Sequence, residues 1–163
     1  MPSSIKLTRV AASLDPNSVL NSTLNNSSGL RRLCMRKVTV AATQMIGGWN
    51  VEENIARGER LVREAAEQGA QIILLQELFE RNYFCQKQKY EYLEFATSVE
   101  DNAAIKHFSK IAKELKVVLP ISFYEKAGNC FYNTVAVIDA DGSNLGLYRK
   151  SHIPDGPGYS EKF

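Results

Sequence analysis

The sequence predicts an α/β fold in which helices cover one face of a mixed sheet. A β-branched, mostly apolar run at residues 38–44 precedes an amphipathic stretch and then an aliphatic run at residues 72–75. Strand, helix and buried strand at this spacing are typical of a βαβ unit with a parallel strand pair. Further short strands in the second half of the chain are separated by turn residues, which predicts antiparallel neighbours in the same sheet.

The first helix carries a start signal and a stop signal in the sequence. Asn50 suits the N-cap position, and Glu53 follows three residues later as a capping-box partner. Gly69 suits the cap at the C-terminal end. Apolar residues recur between them at helical spacing: Val51, Ile55, Leu61, Val62, Ala65 and Ala66. This pattern predicts an amphipathic helix between Asn50 and Gly69 that packs on the sheet.

A second helix and three more strands complete the predicted domain. Turn-forming residues separate the elements, and Asp141 followed by Gly142 is a strong hairpin signal. The predicted elements span residues 102–115, 117–124, 132–139 and 145–149, in the order helix, strand, strand, strand. The aliphatic strands at residues 38–42, 72–75 and 117–121 are apolar enough to be buried on both faces.

Residues 1–36 differ in composition from the rest of the chain. They are rich in Ser and Asn, and through Lys37 the chain has six basic residues against the single acid Asp15. Such a segment has too few apolar residues to form a core, so we expect a disordered extension. Its acid-poor, Ser-rich character also fits an organelle transit peptide. We therefore divide the chain into an extension, 1–36, and a folded domain, 37–163.

Composition excludes several classes of protein. With 163 residues, 44% hydrophobic and 23% charged residues, the chain has the size and balance of one globular domain. Its three cysteines have neither disulfide-scaffold nor zinc-site spacing, which favours a reducing compartment, and we expect the cytoplasm. Apolar runs are too short for a membrane helix, and no basic surface suggests nucleic acid. We therefore expect neither membrane nor nucleic acid as a partner.

Two charged residues end predicted strands and are candidates for catalysis. Glu77 follows a buried aliphatic strand, where α/β folds place their sites, and partial burial would suit its carboxylate to general-base work. Lys150 ends the last strand, where an ammonium could stabilise an oxyanion. The alternatives are a solvent-facing acid at Glu77 and a solvated basic turn at Lys150. Strand alternation allows only one of Arg149 and Lys150 to point inward.

The remaining reactive side chains are weaker candidates. His152 is better explained as a structural histidine than as a base, and His107 lies on a predicted helix. Cys130 lies in a hairpin turn and Cys85 in an aromatic-rich loop. Neither cysteine begins a helix after a strand, where a thiolate is commonly activated. We do not expect any of these residues to be the nucleophile or base.

Several separated segments resemble one family in the same order along the chain. The chain from Val38 to Phe163 resembles the first half of a carbon–nitrogen hydrolase of the nitrilase superfamily. The resemblance is carried by Val40-Ala41-Ala42-Thr43-Gln44-Met45, Leu75-Gln76-Glu77-Leu78-Phe79, Tyr148-Arg149-Lys150-Ser151-His152-Ile153-Pro154 and Tyr159-Ser160-Glu161-Lys162-Phe163. Together these segments are far more specific than any one of them alone.

The resemblance implies a Glu–Lys–Cys triad and assigns roles to residues of this chain. Glu77 would be the general base, Lys150 would stabilise the tetrahedral intermediate, and Glu161 would position Lys150 and the substrate. Tyr83 is a candidate for the wall of the pocket. The family nucleophile follows the second glutamate in a Cys–Trp-type segment, for which this sequence has no residue. The family needs no metal or organic cofactor.

The resemblance also sets expectations for the fold, the substrate and the assembly. It implies a four-layer αββα sandwich built from two similar halves, of which this chain would supply the first. The expected reaction hydrolyses a non-peptide C–N bond of a small carbamoyl amine or amide. N-carbamoylputrescine is the expected substrate, giving putrescine, carbon dioxide and ammonia in polyamine synthesis. Such enzymes commonly form homo-oligomers. The alternative is an inactive truncated isoform that associates with the full-length enzyme and modulates it.

Overall fold

Strands and helices alternate along the computed structural model, which describes residues 4–13, 35–87, 89–156 and 161. The strands are β1 (Ser4–Ser13), β2 (Met35–Gln44), β3 (Ile72–Leu74), β4 (Leu119–Ala127), β5 (Cys130–Ile138) and β6 (Asn144–Arg149). The helices are α1 (Val51–Glu67), between β2 and β3, and α2 (Ala103–Leu115), before β4. Two short 3-10 helices, Phe84–Lys87 and Tyr90–Phe95, precede α2. The predicted α/β class is therefore confirmed.

The strands form two three-stranded sheets that meet edge to edge. In the first sheet β1 pairs antiparallel with β2, and β2 pairs parallel with β3. In the second sheet β4, β5 and β6 are antiparallel neighbours. A parallel bridge between Ile72 and Val118 joins the two sheets. Because two antiparallel steps restore the direction, β6 runs the same way as β3.

Helix α1 begins and ends where the sequence signals predicted. The Oδ1 of Asn50 accepts a hydrogen bond from the Glu53 N–H at 3.0 Å, which satisfies one of the free amides of the first turn. Gly69 follows the helix with a φ of +88°, a conformation in which a Cβ would be strained. The predicted apolar stripe is buried against the sheet, with Leu61, Val62 and Ala65 all inaccessible.

The core lies between the sheet and the two helices. Phe108 of α2 stacks edge-on against Phe79 with 5.7 Å between ring centroids. Ile121 and Phe123 of β4 are fully buried on the same face of the sheet. No helix in the described ranges is long and apolar enough to cross a membrane. Burial of this one face, at about 25 cal/mol per Å² of apolar area, is the main stabilising contribution of the fold.

The other face of the sheet is open. Leu74 of β3 and Tyr148 of β6 keep 49% and 60% of their exposure. Val40, Ala42 and Pro120 line a shallow apolar groove on the same side. The aliphatic strands, which are apolar enough to be buried on both faces, are therefore covered on one face only, since both helices pack on one side.

The N-terminal segment differs in part from the expected disordered extension. Residues 4–13 form β1, which pairs along its whole length with β2, so that Ser4 lies opposite Gln44 and Ser13 opposite Met35. Ile5 is partly buried against the core, whereas Lys6 and Thr8 lie on the open face. The alternation of apolar and polar residues at the start of the chain was the signal for this strand. Residues 14–34 lie outside the described residues, so the proposed domain boundary stays a prediction.

Candidate active site

Strands β3 and β6 deliver Glu77 and Lys150 to the same edge of the sheet. Both strands run in the same direction, and each charged residue lies just beyond the carboxyl end of its strand. The Lys150 Nζ lies 3.0 Å from the Glu77 Oε1, so the two candidates form an ion pair. The chain folds this way locally because the Lys150 N–H donates to the Asn133 carbonyl at 2.8 Å, which continues the β5–β6 ladder by one residue.

Glu161 completes a three-residue charge cluster. The Lys150 Nζ donates to the Glu161 Oε2 at 2.9 Å, and the Glu161 side chain keeps only 7% of its exposure. The Glu161 N–H donates to the Pro154 carbonyl at 3.0 Å, which holds this residue against the loop after β6. One ammonium is therefore shared between two carboxylates. The structure thus brings together all three residues to which the resemblance gave catalytic roles.

Asn133 joins the two carboxylates and was missed by the sequence reasoning. Its Nδ2 donates to the Glu77 Oε1 at 2.7 Å and lies 3.3 Å from the Glu161 Oε2. Asn133 lies on β5, where Val135 and Val137 share its face. A polar amide among apolar residues of one strand face was the available signal. Its side chain gives the two carboxylates a neutral donor in addition to Lys150.

The backbone next to Glu77 is strained. Leu78 has a φ of +50°, in the left-handed region that a branched side chain rarely adopts. The Leu78 N–H donates to the buried Ser122 Oγ at 3.0 Å, which fixes the turn. On the other side, the Gln76 side chain accepts a hydrogen bond from the Met45 N–H. Backbone strain that neighbouring hydrogen bonds maintain is common at functional sites, where the orientation of a side chain must be fixed.

Tyr83 contacts Glu161 from the opposite side to Lys150. Its hydroxyl donates to the Glu161 Oε1, whereas Tyr83 is not among the residues that line the adjacent cavity. Burial raises the pKa of Tyr83, and the hydrogen bond to Glu161 raises it further. The hydroxyl therefore stays protonated and remains a donor at any neutral pH.

The ionisation of the cluster follows from competition between burial and hydrogen bonding. Burial lowers the pKa of Lys150, but its hydrogen bonds to Glu161 and Glu77 outweigh burial and raise the net pKa. Burial raises the pKa of Glu161, but Tyr83 and Lys150 outweigh it and lower the net pKa. Both groups are therefore charged at neutral pH. Glu77 keeps 49% of its side-chain exposure, more than the partial burial that the sequence predicted.

Arg149 points to the opposite face of the sheet, as strand alternation predicted. Its guanidinium donates to both carboxylate oxygens of Glu125, at 2.8 Å and 2.6 Å, and lies 4.1 Å from the centre of the Tyr132 ring. This bidentate pair lowers the pKa of the buried Glu125 carboxyl, against the effect of its burial. The pair is structural, and Lys150 is the basic residue of the site.

The other reactive side chains do not join the cluster as reactive groups. Cys85 is buried, and burial raises the pKa of its thiol, while Cys130 is exposed in the β4–β5 hairpin. His107 lies 2.7 Å from Glu59 on the helical side, and His152 is exposed in the loop after β6. Within the described ranges, no group of His, Cys, Asp and Glu side chains could hold a metal ion.

A cavity of about 260 Å³ opens beside the charge cluster. Its polar wall contains Lys150, Glu161 and Asn133, and its other walls are mostly aromatic. The lining residues are Leu78, Phe84, Cys85, Tyr124, Phe131, Tyr132, Asn133, Lys150, Ile153 and Glu161. An apolar cleft with a few convergent polar groups is the usual form of a small-molecule site.

Comparison with known proteins identifies the family. The sequence model of the family described as carbon-nitrogen hydrolase matches residues 39–163. The chain belongs to the carbon–nitrogen hydrolase family. The matched region of this hydrolase chain begins within β2 and includes Glu77, Lys150 and Glu161, whereas β1 lies outside it.

Relatives and solved structures agree with this family. An N-carbamoylputrescine amidase of Oryza sativa subsp. japonica is 57% identical over 127 residues, which are 78% of this chain and 42% of the relative. A citrullinase of Francisella tularensis subsp. tularensis (strain SCHU S4 / Schu 4) is 44% identical over 129 residues, 79% of this chain and 45% of the relative. The crystal structure of a carbon–nitrogen hydrolase from Helicobacter pylori G27 matches with a TM-score of 0.70 and 30% identity, covering 77% of this chain and 42% of that one.

These matches cover a much larger share of this chain than of each relative. This carbon–nitrogen hydrolase chain spans less than half the length of the relatives that it matches. The similarity to the Helicobacter protein confirms the nitrilase-superfamily α/β fold over about three quarters of the chain.

Proposed function

We propose that the chain carries the Glu–Lys part of an amidase site that hydrolyses N-carbamoylputrescine to putrescine, carbon dioxide and ammonia. The observation that carries the proposal is the ammonium of Lys150, which lies 3.0 Å from Glu77 and 2.9 Å from Glu161 at the edge of a cavity. The identity of 57% with the rice amidase, against 44% with the bacterial citrullinase, favours this substrate within the family. The reaction would serve polyamine synthesis.

In this proposal, catalysis begins when Glu77 takes the proton of an attacking thiol. The thiolate adds to the carbamoyl carbon, and the carbonyl oxygen becomes an oxyanion to which Lys150 donates a hydrogen bond. Glu77 returns its proton to the departing nitrogen, and ammonia leaves. Water, deprotonated by Glu77, then attacks the thiocarbamate and frees the thiol. The resulting carbamic acid breaks down to the amine and carbon dioxide.

The nucleophile must come from a position other than the cysteines in the described ranges. Burial raises the pKa of the Cys85 thiol, and Cys130 lies in the β4–β5 turn with an exposed side chain. The Glu77 Oε1 accepts hydrogen bonds from the Asn133 Nδ2 at 2.7 Å and the Lys150 Nζ at 3.0 Å. The resemblance places the nucleophile after Glu161, at a position that follows Phe163. We therefore assign the activity to a protein in which a thiol is supplied at that position.

Ligand binding tests the proposal in the 163-residue chain. Calorimetric titration should give saturable binding of N-carbamoylputrescine and weaker binding of L-citrulline. Lys150→Ala should weaken binding at least tenfold with an unchanged circular dichroism spectrum, whereas Lys110→Ala, on the exposed side of α2, should not. Equal binding to wild type and Lys150→Ala would refute the site.

Activity is tested in a chimaera with a relative. Residues 37–163 joined to the part of the rice amidase that this chain does not match should release ammonia from N-carbamoylputrescine, whereas the 163-residue chain alone should not. Glu77→Gln in the chimaera should abolish turnover, because Glu77 is the residue to which the proposal assigns the thiol proton. Glu91→Gln, on an exposed 3-10 helix, is the matched control. Near-normal turnover by Glu77→Gln would remove Glu77 from the mechanism.

A second candidate function is favoured by the open sheet face. An inactive subunit that binds and modulates a full-length relative would use the apolar surface around Leu74 and Tyr148. This role requires no thiol near Glu77. Co-expression with the rice amidase followed by affinity purification tests it: a stable mixed assembly with altered kcat supports the modulating role, and separate elution argues against it.

A further inference from the structure

Asn133 contacts every residue of the charge cluster. Its Nδ2 donates to the Glu77 Oε1 at 2.7 Å and to the Glu161 Oε2 at 3.3 Å. Its backbone carbonyl accepts the Lys150 N–H at 2.8 Å. One residue of β5 therefore binds the backbone of the cation and the side chains of both carboxylates. The proposed reaction uses Glu77 and Lys150 directly and gives Asn133 no task, so these contacts point to a separate role.

The amide of Asn133 and the ammonium of Lys150 bind the same two oxygen atoms. The Lys150 Nζ donates to the Glu77 Oε1 at 3.0 Å and to the Glu161 Oε2 at 2.9 Å. The Asn133 Nδ2 donates to these two oxygens as well. The four groups thus form a closed ring, in which each oxygen is bound by one charged donor and one neutral donor. If one donor is drawn away, the other still bridges the two carboxylates.

The two carboxylates differ in how firmly the fold holds them. Both oxygens lie within 3.0 Å of the Lys150 Nζ, so they are at most about 6 Å apart, where each negative charge disfavours the other. Glu161 is nearly buried, and Tyr83 donates to its other oxygen, Oε1. Glu77 is half exposed, and both hydrogen bonds that it receives from described residues end on Oε1. Glu77 is therefore the carboxylate that would turn towards solvent if the bridge were lost.

Glu77 and Glu161 line different cavities. Glu161 lines the cavity of about 260 Å³, whereas Glu77 lines a neighbouring cavity of about 370 Å³. Asn133 and Lys150 line both, so they lie where the two cavities adjoin. The ring of hydrogen bonds therefore links a carboxylate of one cavity to a carboxylate of the other.

We propose that Asn133 is a positioning residue, which keeps Glu77 and Glu161 bridged while Lys150 shares its ammonium with the oxyanion. The oxyanion belongs to the hydrolysis proposed above, so this role rests on that function. As the oxyanion forms, the hydrogen bonds from Lys150 to the carboxylates weaken, and the Asn133 amide holds the Glu77 Oε1 in place. The Glu77 Oε2 then stays directed at the proton that it accepts. An amide suits this task because it donates hydrogen bonds without carrying a charge.

Titration of Glu161 in the 163-residue chain tests the bridge without any substrate. The donors Tyr83, Lys150 and Asn133 lower the pKa of Glu161 against the effect of burial. Asn133→Ala should therefore raise the pKa of Glu161, which carboxyl chemical shifts followed against pH would report. Asn129→Ala, exposed in the turn between β4 and β5, is the matched control and should leave this titration unchanged. An unchanged titration in Asn133→Ala would overturn the bridge.

Kinetics of the chimaera with the rice amidase separate positioning from substrate binding. Asn133→Ala should lower kcat for N-carbamoylputrescine about tenfold to a hundredfold, because Glu77 is no longer held in place in the transition state. It should change KM less than about twofold, since Lys150 still meets the substrate. The acid limb of the kcat profile should move to higher pH, because Glu161 is protonated more readily without this donor. Asn129→Ala should match the parent chimaera in all three measurements.

The two experiments distinguish failure of the positioning role from failure of the proposed function. An active chimaera in which Asn133→Ala keeps its kcat would overturn the positioning role and leave the proposed function standing. A lower kcat together with a lower Tm and an unmoved acid limb would show that Asn133 only supports the fold, which would also overturn the role. A chimaera that does not hydrolyse N-carbamoylputrescine would refute the proposed function, whereas a raised pKa of Glu161 in Asn133→Ala would still support the bridge.

Discussion

Lys150 and Glu161 stabilise each other within a limited range of pH. The pKa of Glu161 lies below its ordinary value of 4.5, because Tyr83 and Lys150 outweigh the effect of burial. Its contribution to the free energy of unfolding is therefore present above about pH 4.5 and is lost as the pH falls through the folded-state pKa. The pKa of Lys150 lies above 10.5, so its contribution is present below that value and is lost as the pH rises through the folded-state pKa.

The variant Lys150→Ala should show how the contribution of Glu161 to the free energy of unfolding depends on pH. The substitution leaves the nearly buried Glu161 carboxylate without its cation, so we expect a loss of about 1–2 kcal/mol in the free energy of unfolding at pH 7. The difference between variant and wild type should shrink as the pH falls through the folded-state pKa of Glu161. Urea unfolding over a series of pH values below 7 measures this. A difference that stays constant until the wild type itself unfolds in acid would show that the ion pair is not its source.

Asn133→Asp should disturb the carboxylates without changing the size of the side chain. It replaces a donor to Glu77 and Glu161 with a third negative charge, which should oppose the lowering of the Glu161 pKa by Tyr83 and Lys150. We expect binding of N-carbamoylputrescine at pH 7 to weaken more in Asn133→Asp than in Asn133→Ala, which removes the donor alone. Carboxyl chemical shifts followed against pH would report the changes. Equal behaviour of both variants would rule out a charge effect.

At the residue level, the sequence allowed only part of the site to be predicted. Glu77 and Lys150 could be singled out because each follows an apolar strand, and the shared direction of the two strands explains their meeting. Glu161 could be placed only by resemblance, since its contact with Lys150 depends on how the chain returns after β6. Asn133 offered only a weak signal, a polar amide on an apolar strand face, because its importance arises from its contacts with Glu77 and Glu161 in the folded chain.

The hairpin between β5 and β6 is held tightly against α2. Gly142 has a φ of +87°, and a Cβ at this position would lie 2.6 Å from the carbonyl oxygen of Ser109. Gly128, in the turn between β4 and β5, has a φ of +61°, and a Cβ there would meet no atom within 4 Å. Both glycines therefore have a positive φ, and their surroundings differ.

This difference gives a matched pair of substitutions. Gly128→Ala should cost about 1 kcal/mol, the usual strain of a left-handed alanine. Gly142→Ala should cost about 3 kcal/mol or more, because the methyl group also collides with the backbone of α2. Denaturant unfolding of both variants measures the comparison. A similar cost for the two would show that the hairpin can move away from α2 without penalty.

The elements themselves were largely predictable, and the exceptions have a physical cause. Both helices have N-cap asparagines and a continuous apolar stripe, signals that are local in sequence. β1 depends on pairing with a strand more than twenty residues later, and the short alternation of apolar and polar residues around Ile5 does not by itself predict that partner. Non-local pairing of this kind overrides local composition. The strand β4 also extends to Ala127, beyond its predicted end, because it pairs with β5 through Cys130.

At the level of the molecule, the open face predicts self-association. Leu74, Tyr148 and the neighbouring apolar groove leave one side of the sheet uncovered, and exposed apolar patches of this kind commonly mark interaction surfaces. We expect the 163-residue chain to bind a dye that reports apolar surface and to elute above its monomer mass. Leu74→Lys should reduce both effects, and Leu145→Lys, at the β5–β6 hairpin, should reduce them less. A monodisperse monomer that binds no dye would contradict this prediction.

Strand β2 lies between one strand outside the family match and one strand within it. On one side it pairs with β1, which lies outside the family match, and on the other with β3, which lies within it. Successive amides of a strand point to opposite sides, so neighbouring residues of β2 are protected by different partners. If β1 detaches locally, every second amide of β2 should exchange its hydrogen for deuterium. The other amides, which face β3, should exchange only on global unfolding. We expect amide exchange rates that alternate between fast and slow along residues 38–43. Uniform rates would mean that the three strands separate together.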